Sequence, residues 1–359
     1  MNCLRSGGAE KQLLWIASEI VSLGIPCSIL ELAAGERTER IEAMVRVALE
    51  KGVLVLRAPP HSGNWQGLGR LRRHLSDTRP DLIWSWGLRA DGICYLGRLL
   101  NAPTKWIMSI RSANTQLGNF GSWIRKQLAR RCDGVISNTH AGLVMSEIQY
   151  IPTLRQWVLP NAVALDSSTQ VDLPDLPPQR LVLVMLGNIK IMTKGYDLAA
   201  QLAQILLGKA FLFELRIAGR PDELAELETI FHRLNVQSVV KFYGEVSHPE
   251  EFLREGHLFL LLSRFEGMPN TLLEALSVGL PAIATDVGDL RVLKDKGAPF
   301  DLVPIENVKA ATEAVERALA QWSNTRVAAA KGRGWVQANF SEEACRAVLR
   351  EILAEVLEA

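Results

Sequence analysis

Short apolar runs alternate with longer amphipathic segments along the whole chain, and this alternation constrains the fold more than any other feature. Strand-sized runs include Cys27–Leu30, Val53–Leu56, Leu82–Trp86, Trp106–Ile110, Val135–Ser137 and Trp157–Leu159. A second series follows: Leu181–Leu186, Phe211–Ile217, Val239–Tyr243, Leu258–Leu262, Ala282–Thr285 and Leu302–Val303. Helical patterns such as Glu10–Leu23, Asp197–Leu207, Asp222–Leu234 and Val308–Gln321 lie between them. A strand–helix–strand rhythm predicts parallel sheets covered by helices on both faces. The segment 166–179, rich in proline and aspartate, separates the two series and reads as a linker.

The 359 residues therefore divide into two α/β units. We expect domain one at 1–165, the linker at 166–179 and domain two at 180–340. A final helix over 341–359 is expected to pack back on domain one. Two doubly wound domains facing a central cleft would bind a ligand at the carboxyl ends of their strands, with phosphates at helix N-termini.

Composition excludes several classes. The formal net charge of +1 argues against a generally basic nucleic-acid binder. That figure is a cancellation, since residues 1–160 carry 20 basic and 12 acidic side chains and the remainder carries the opposite excess. No run approaches the ~20 apolar residues of a membrane helix. Five scattered cysteines with no Cys-x-x-Cys read as reduced thiols of a cytoplasmic protein. Six histidines show no metal-ligand spacing. There is no Walker A loop and no G-x-G-x-x-G.

The most informative stretch runs from Ser263 through Glu266-Gly-Met-Pro-Asn-Thr-Leu-Leu-Glu274 to Gly279-Leu-Pro281, then Ala284-Thr-Asp286-Val-Gly288. A buried strand ends at Ser263, and a carboxylate, Glu266, follows on the turn. Pro269 suits the first helical position, where its missing N–H costs nothing. Asn270 and Thr271 then offer free backbone N–H groups, an anion site reinforced by the helix dipole. Glu274 lies about one turn further on.

Glu266 and Glu274 are separated by seven residues. With the surrounding Glu-Gly-Met-Pro-Asn, Leu-Leu-Glu-Ala-Leu and Gly-Leu-Pro, this pattern resembles retaining glycosyltransferase family 4, of GT-B fold. The resemblance extends to Ser6-Gly-Gly-Ala-Glu10, to Arg79-Pro-Asp-Leu-Ile, to Leu159-Pro-Asn161, to the run from Leu186-Gly187-Asn188 to Lys194-Gly195, and to Phe242-Tyr-Gly244.

The resemblance implies transfer of a hexose-type sugar from a nucleotide-sugar to a saccharide or lipid-linked acceptor, with retained configuration. It implies a role in polysaccharide or lipopolysaccharide biosynthesis. The nucleotide-sugar is a substrate, and no metal or other cofactor is expected, in keeping with the lack of an Asp-x-Asp. Lys194 would contact the diphosphate and Glu266 the donor sugar, while Glu274 would hold the ribose. Gly267, Met268, Pro269, Asn270 and Thr271 would supply main-chain contacts. Gly7 and Gly8 would approach the phosphates from domain one, and Gly187, Asn188 and Lys190 would complete the donor segment. The leaving phosphate would serve as the base, so no protein nucleophile is needed.

Some positions depart from the family pattern. Asn188 stands where an Arg is usual; Lys190 could supply that charge, with a solvated surface lysine as its alternative. Arg111 stands where a His is usual and could bind a phosphate or an acidic sugar, with a structural ion pair as its alternative. Trp84 and Trp86 share one strand face, as core packing or as a sugar platform. Only Met1–Arg5 precede the glycine segment, so the natural start is expected further upstream. The cluster Arg125, Lys126, Arg130 and Arg131 reads as a basic helix face for peripheral contact with an anionic membrane, with a merely solvated basic face as its alternative. The alternatives are a nucleotide-sugar epimerase of the same fold and a non-catalytic nucleotide-sugar-binding partner of another transferase.

Overall fold

The computed structural model describes residues 1–4, 8–60, 64–100, 104–111, 118–165 and 171–358. Two compact units emerge, Met1–Ala162 with Glu342–Ala359, and Val163–Ser341.

In the first unit, β1 (Ser28–Leu30) pairs in parallel with β2 (Leu54–Leu56). A second parallel sheet has the order β3 (Leu82–Trp86), β4 (Lys105–Ile110), β5 (Gly134–Ser137) and β6 (Arg155–Val158). Side chains alternate across this sheet as the pleat requires. Trp106, Met108, Ile110 and Val135 enter a core with Leu71, Ile93 and Leu128 from helices on that side. Trp86, Ile107 and Ile136 enter the opposite core, against Leu14 and Ile16 of helix Gly8–Ser22 and Leu349 and Leu353 of helix Glu342–Glu358. Trp84 packs at the edge of that second core, so both tryptophans serve packing.

The final helix is tied down polarly as well. Lys105 Nζ donates to the carbonyls of Val356 at 2.9 Å and Leu357 at 3.1 Å, satisfying groups that a helix C-terminus leaves open. Trp157 Nε1 donates to Glu355 at 2.7 Å.

The second unit is one six-stranded parallel sheet. Its strands are β7 (Leu181–Leu186), β8 (Phe213–Ala218), β9 (Val240–Gly244), β10 (Leu258–Leu261), β11 (Ala282–Thr285) and β12 (Asp301–Val303). They lie in the order β12-β11-β10-β7-β8-β9. The chain starts in the middle, builds outward to β9, then returns to the other side of β7. That reversal makes the β7/β10 boundary a topological switch point, where ligands of such sheets bind. Helices cover both faces, so β10 and β11 are buried along their whole length and read as continuous apolar runs.

The described part of the linker, 171–179, is docked on this unit rather than free. Val171 N donates to Val278 O at 2.7 Å, and Trp322 Nε1 donates to Pro174 O at 2.8 Å. Leu173 is buried against Trp322. Its proline content signals extended chain, and extended chain can still dock. Among the described residues, no helix is long and apolar enough to cross a membrane.

Candidate functional site

The site is assembled where β7 and β10 end. Gly187 directly follows β7, and its φ of +152° favours glycine. Its carbonyl accepts from the Tyr196 hydroxyl at 2.7 Å, beneath the site. Burial and the nearby Glu266 charge push that phenol upward. Gly219 directly follows β8, and a Cβ there would stand 1.8 Å from Gly187 O, so only glycine allows the two strand ends to meet. Sequence reasoning passed over Gly219. Its signal was a glycine directly after an apolar strand.

From Gly187 the chain runs through Asn188 and the buried Ile189 to Lys190, which precedes the short helix Ile191–Lys194. Glu223 accepts from the first amide of that helix, Ile191 N, at 2.7 Å. Asn188 and Lys190 thus lie in a segment braced by the loop after β8, since Ile189 N donates to Arg220 O at 2.8 Å. Arg220 and Glu223 are contributions that sequence reasoning missed, because they come from another strand's loop. Gly195 ends the short helix in the left-handed region at φ +68°. A Cβ there would lie 2.0 Å from Leu262 O, pinning this turn against the end of β10.

On the β10 side, Ser263 is fully buried and its hydroxyl donates to Glu266 Oε1 at 2.6 Å. Lys194 Nζ reaches the same oxygen at 2.7 Å. The two residues assigned to diphosphate and sugar are therefore brought into direct contact. The Glu266 side chain is 8% exposed and that of Lys194 26%. Thr285 Oγ1 donates to Ser263 O at 2.5 Å, fixing the strand end. Gly288, at φ +56°, passes so close that a Cβ would be 2.9 Å from Glu266 O.

Arg264 fastens the two sides together. Its guanidinium makes a bidentate pair with Asp197, 2.7 Å to each oxygen, and also pairs with Glu306. Its amide donates to Thr193 O at 2.9 Å. These partners raise its pKa further above the ordinary guanidinium value. Nothing in its local sequence singled it out.

The helix after Glu266 spans Asn270–Ser277, and Pro269 is its cap rather than its first residue. Pro269 O accepts from Leu272 N and Leu273 N, at 3.1 and 3.3 Å, so the carbonyl starts the helix one position later than its preference for N1 suggests. Gly267 leads into this turn. The Met268 side chain is buried in the core, leaving only its main chain for a ligand. Asn270 and Thr271 form the first turn, and Glu274 lies half-buried one turn on.

In the first unit, Gly7 lies outside the described residues. Gly8 is exposed and opens helix Gly8–Ser22. Arg111 follows β4 and sits over the Trp86 ring at 4.1 Å. The basic cluster requires a correction. Arg125 is 6% exposed and faces buried Asp91 in the interior, so it does not belong to a surface patch. Lys126 is paired with Glu147. Arg130 and Arg131 are exposed, and so are Phe120 and Trp123 earlier on the same segment, whose rings stack at 6.0 Å.

Parallel doubly wound sheets with a lysine–glutamate pair at a switch point define the class, and comparison with known proteins gives the family. The model for "glycosyl transferases group 1" matches residues 180–321, and that for a "glycosyl transferase 4-like domain" matches residues 7–162. Between them these matches span most of the chain, and it belongs to this glycosyltransferase family.

An uncharacterized glycosyltransferase of Methanocaldococcus jannaschii is 38% identical over 121 residues, 34% of this chain and 26% of that protein. Lipopolysaccharide 1,6-galactosyltransferase of Salmonella typhimurium is 30% identical over 117 residues, 31% of this chain and 32% of that protein. The chain thus spans about a quarter to a third of the length of these curated relatives. Among solved structures, Anabaena HepE in complex with UDP-glucose aligns with TM-score 0.82 at 15% identity, covering 99% of this chain and 98% of that one. Sucrose-phosphate synthase of Thermosynechococcus elongatus aligns with TM-score 0.79 at 16% identity, covering 98% and 94%. The fold is GT-B.

Proposed function

We propose that this chain is a retaining glycosyltransferase that moves a hexose-type sugar from a nucleotide-sugar to a saccharide or lipid-linked acceptor in surface-polysaccharide or lipopolysaccharide assembly. The observation that carries this reading is the Lys194–Glu266 pair at the β7/β10 switch point. A donor diphosphate competes with Glu266 for the ammonium. Lys194 then neutralises charge on the leaving group, aided by the first-turn amides of helix Asn270–Ser277. The freed Glu266 carboxylate accepts from the sugar hydroxyls, and Glu274 takes the ribose. The leaving phosphate removes the acceptor proton, and no metal is assigned to the step. The names of relatives support the setting, among them lipopolysaccharide 1,6-galactosyltransferase and an amylovoran biosynthesis glycosyltransferase of Erwinia amylovora.

A thermal-shift screen of nucleotide-sugars, UDP-glucose first, tests the donor reading, because a ligand that binds only the folded state raises its Tm. Assays with lipid-linked and free saccharides then test transfer. An isomerised nucleotide-sugar formed without acceptor would replace the reading by an epimerase. Nucleotide binding without turnover on any acceptor would replace it by a binding partner.

The reading includes peripheral contact with the anionic inner face of a membrane. The exposed Phe120–Trp123 stack, with exposed Arg130 and Arg131 on the same segment, favours it, since aromatic and cationic side chains suit a headgroup layer.

A further inference from the structure

We propose that the carboxyl edge of the β3–β6 sheet carries an oxyanion site centred on Arg111, one that selects a substrate bearing a carboxylate or a phosphate. The inference deepens the transferase reading and rests on it for the ligand's being a substrate.

Arg111 is held from three sides. Its guanidinium lies over the Trp86 ring at 4.1 Å, Nε donates to Ser109 Oγ at 3.0 Å, and Nη1 donates to Asn161 Oδ1 at 3.3 Å. Nη2 is buried and has no acceptor among the described residues. Burial lowers the guanidinium pKa to about 9, and among the described residues no carboxylate offsets that effect. Three other enclosed arginines differ. Arg37 pairs with Glu31 at 2.7 Å, Arg264 pairs with Asp197 at 2.7 Å, and Arg125 faces Asp91.

A desolvated cation without a counter-charge destabilises the fold. The sequence retains it where ligands of parallel sheets bind, outside the carboxyl ends of the strands. Stacking on an indole leaves the N–H edge of the guanidinium pointing along its own plane, the geometry that grips a planar or tetrahedral oxyanion. Asn138 stands at the end of the neighbouring β5, its main-chain N donating to Ile110 O at 3.2 Å, and its Oδ1 is likewise buried without a donor among the described residues. An oxyanion with an adjacent hydroxyl would satisfy both orphans, taking Nη2 as donor and Asn138 Oδ1 as acceptor.

The test measures Tm of the full chain at constant ionic strength with sodium glucuronate, inorganic phosphate or glucose. Arg111→Gln and Arg111→Lys are compared with the native protein. The native protein should be stabilised by glucuronate or phosphate and not by glucose, and which anion acts identifies the source of the charge. Arg111→Gln should weaken the apparent affinity for that anion roughly tenfold or more, the equivalent of one charge-assisted bond. Arg111→Lys should retain part of the response, and it carries the test if the glutamine variant fails to fold. An unchanged response in both variants, or none to either anion in the native protein, overturns the inference. UDP-glucose serves as the parallel ligand. If it leaves the native protein unshifted while the anion response depends on Arg111, the donor reading falls and the oxyanion site stands.

Discussion

Lys194 and Glu266 are 72 residues apart in the chain, and their charged atoms meet at 2.7 Å. The contact spans the boundary between the first and fourth strands of the second unit's sheet. Each residue is held by its own turn, one ended by Gly195 and the other braced by Ser263. Lys194→Ala leaves a largely buried carboxylate with only the Ser263 hydroxyl among its side-chain partners described above, and should cost about 1–3 kcal/mol in urea unfolding. The same variant should weaken nucleotide-sugar binding tenfold or more, because the ammonium is the proposed diphosphate contact. Glu266→Ala should instead abolish most turnover while changing nucleotide affinity little. Isothermal titration and initial rates separate the two, and equal loss of binding in both variants would contradict the division of roles.

Arg264 touches no assigned ligand position, yet it joins Asp197, Glu306 and the Thr193 carbonyl to the end of β10. Replacing it with alanine should destabilise the protein by a few kcal/mol, since a bidentate charged pair is lost and Asp197 is left without it. It should also lower kcat more than it raises KM, because Glu266 loses its frame rather than its own contacts. Lysine at this position keeps the charge but cannot form the fork, so it should restore only part of the rate. Full rescue by lysine would show that charge alone matters.

The β10–helix region was legible because punctuation and chemistry coincide there. The apolar run stops at Ser263, Gly267 and Pro269 mark the turn, and Glu266 and Glu274 stand out by spacing. The strand–helix rhythm likewise gave most strands to within a residue or two. What escaped was what depends on a partner distant in sequence. Arg264 looked like any surface arginine until Asp197 was placed opposite it. Arg125 completed a plausible basic face on the helix, but its orientation was decided by Asp91 on another helix. Pro269 missed its expected place by one residue, because a carbonyl and not ring geometry decides where a helix begins.

The close approach of strand ends predicts a sharp contrast among glycines. Gly219→Ala would force a methyl to within 1.8 Å of the Gly187 carbonyl, and Gly195→Ala to within 2.0 Å of that of Leu262. Backbone must move in both cases, so each variant should lose several kcal/mol or fail to fold. Gly334, inside helix Gly332–Phe340, has open space around a built Cβ. Alanine there should stabilise by about 0.4–1 kcal/mol. Thermal midpoints of the three variants check the sign at each position.

Vesicle sedimentation distinguishes the corrected surface from the one expected from sequence. Reversing charge at Arg130 and Arg131, or replacing Phe120 and Trp123 with serine, should reduce binding to vesicles containing anionic lipid and leave thermal stability nearly unchanged. Arg125→Glu should behave differently, lowering stability because it places a second acid beside buried Asp91. Undiminished sedimentation of both surface variants would remove the membrane from the proposed function.

Asp91 predicts how stability responds to pH. It is fully buried, its carboxylate accepts from Ser85 Oγ at 2.6 Å, and Trp106 Nε1 donates to that hydroxyl at 2.9 Å. Burial raises its pKa to about 7, opposed by the Ser85 bond and by the charges of Arg125 and the chain's amino terminus. Cys94 also faces it and stays neutral, its thiol pushed up to about 12. An unfolded aspartate titrates near pH 4. Between about pH 4 and 7 the folded protein therefore holds a proton that the unfolded chain has released. Stability falls as pH rises through that window, and the full cost is present only above it. Asp91→Asn cannot ionise and should flatten this part of the profile. Urea midpoints at pH 5, 6 and 8 provide the measurement, with the native protein losing ground to the variant at each step. A constant difference between the two proteins would mean that Asp91 is charged throughout, and that Arg125 compensates it more fully than its burial suggests.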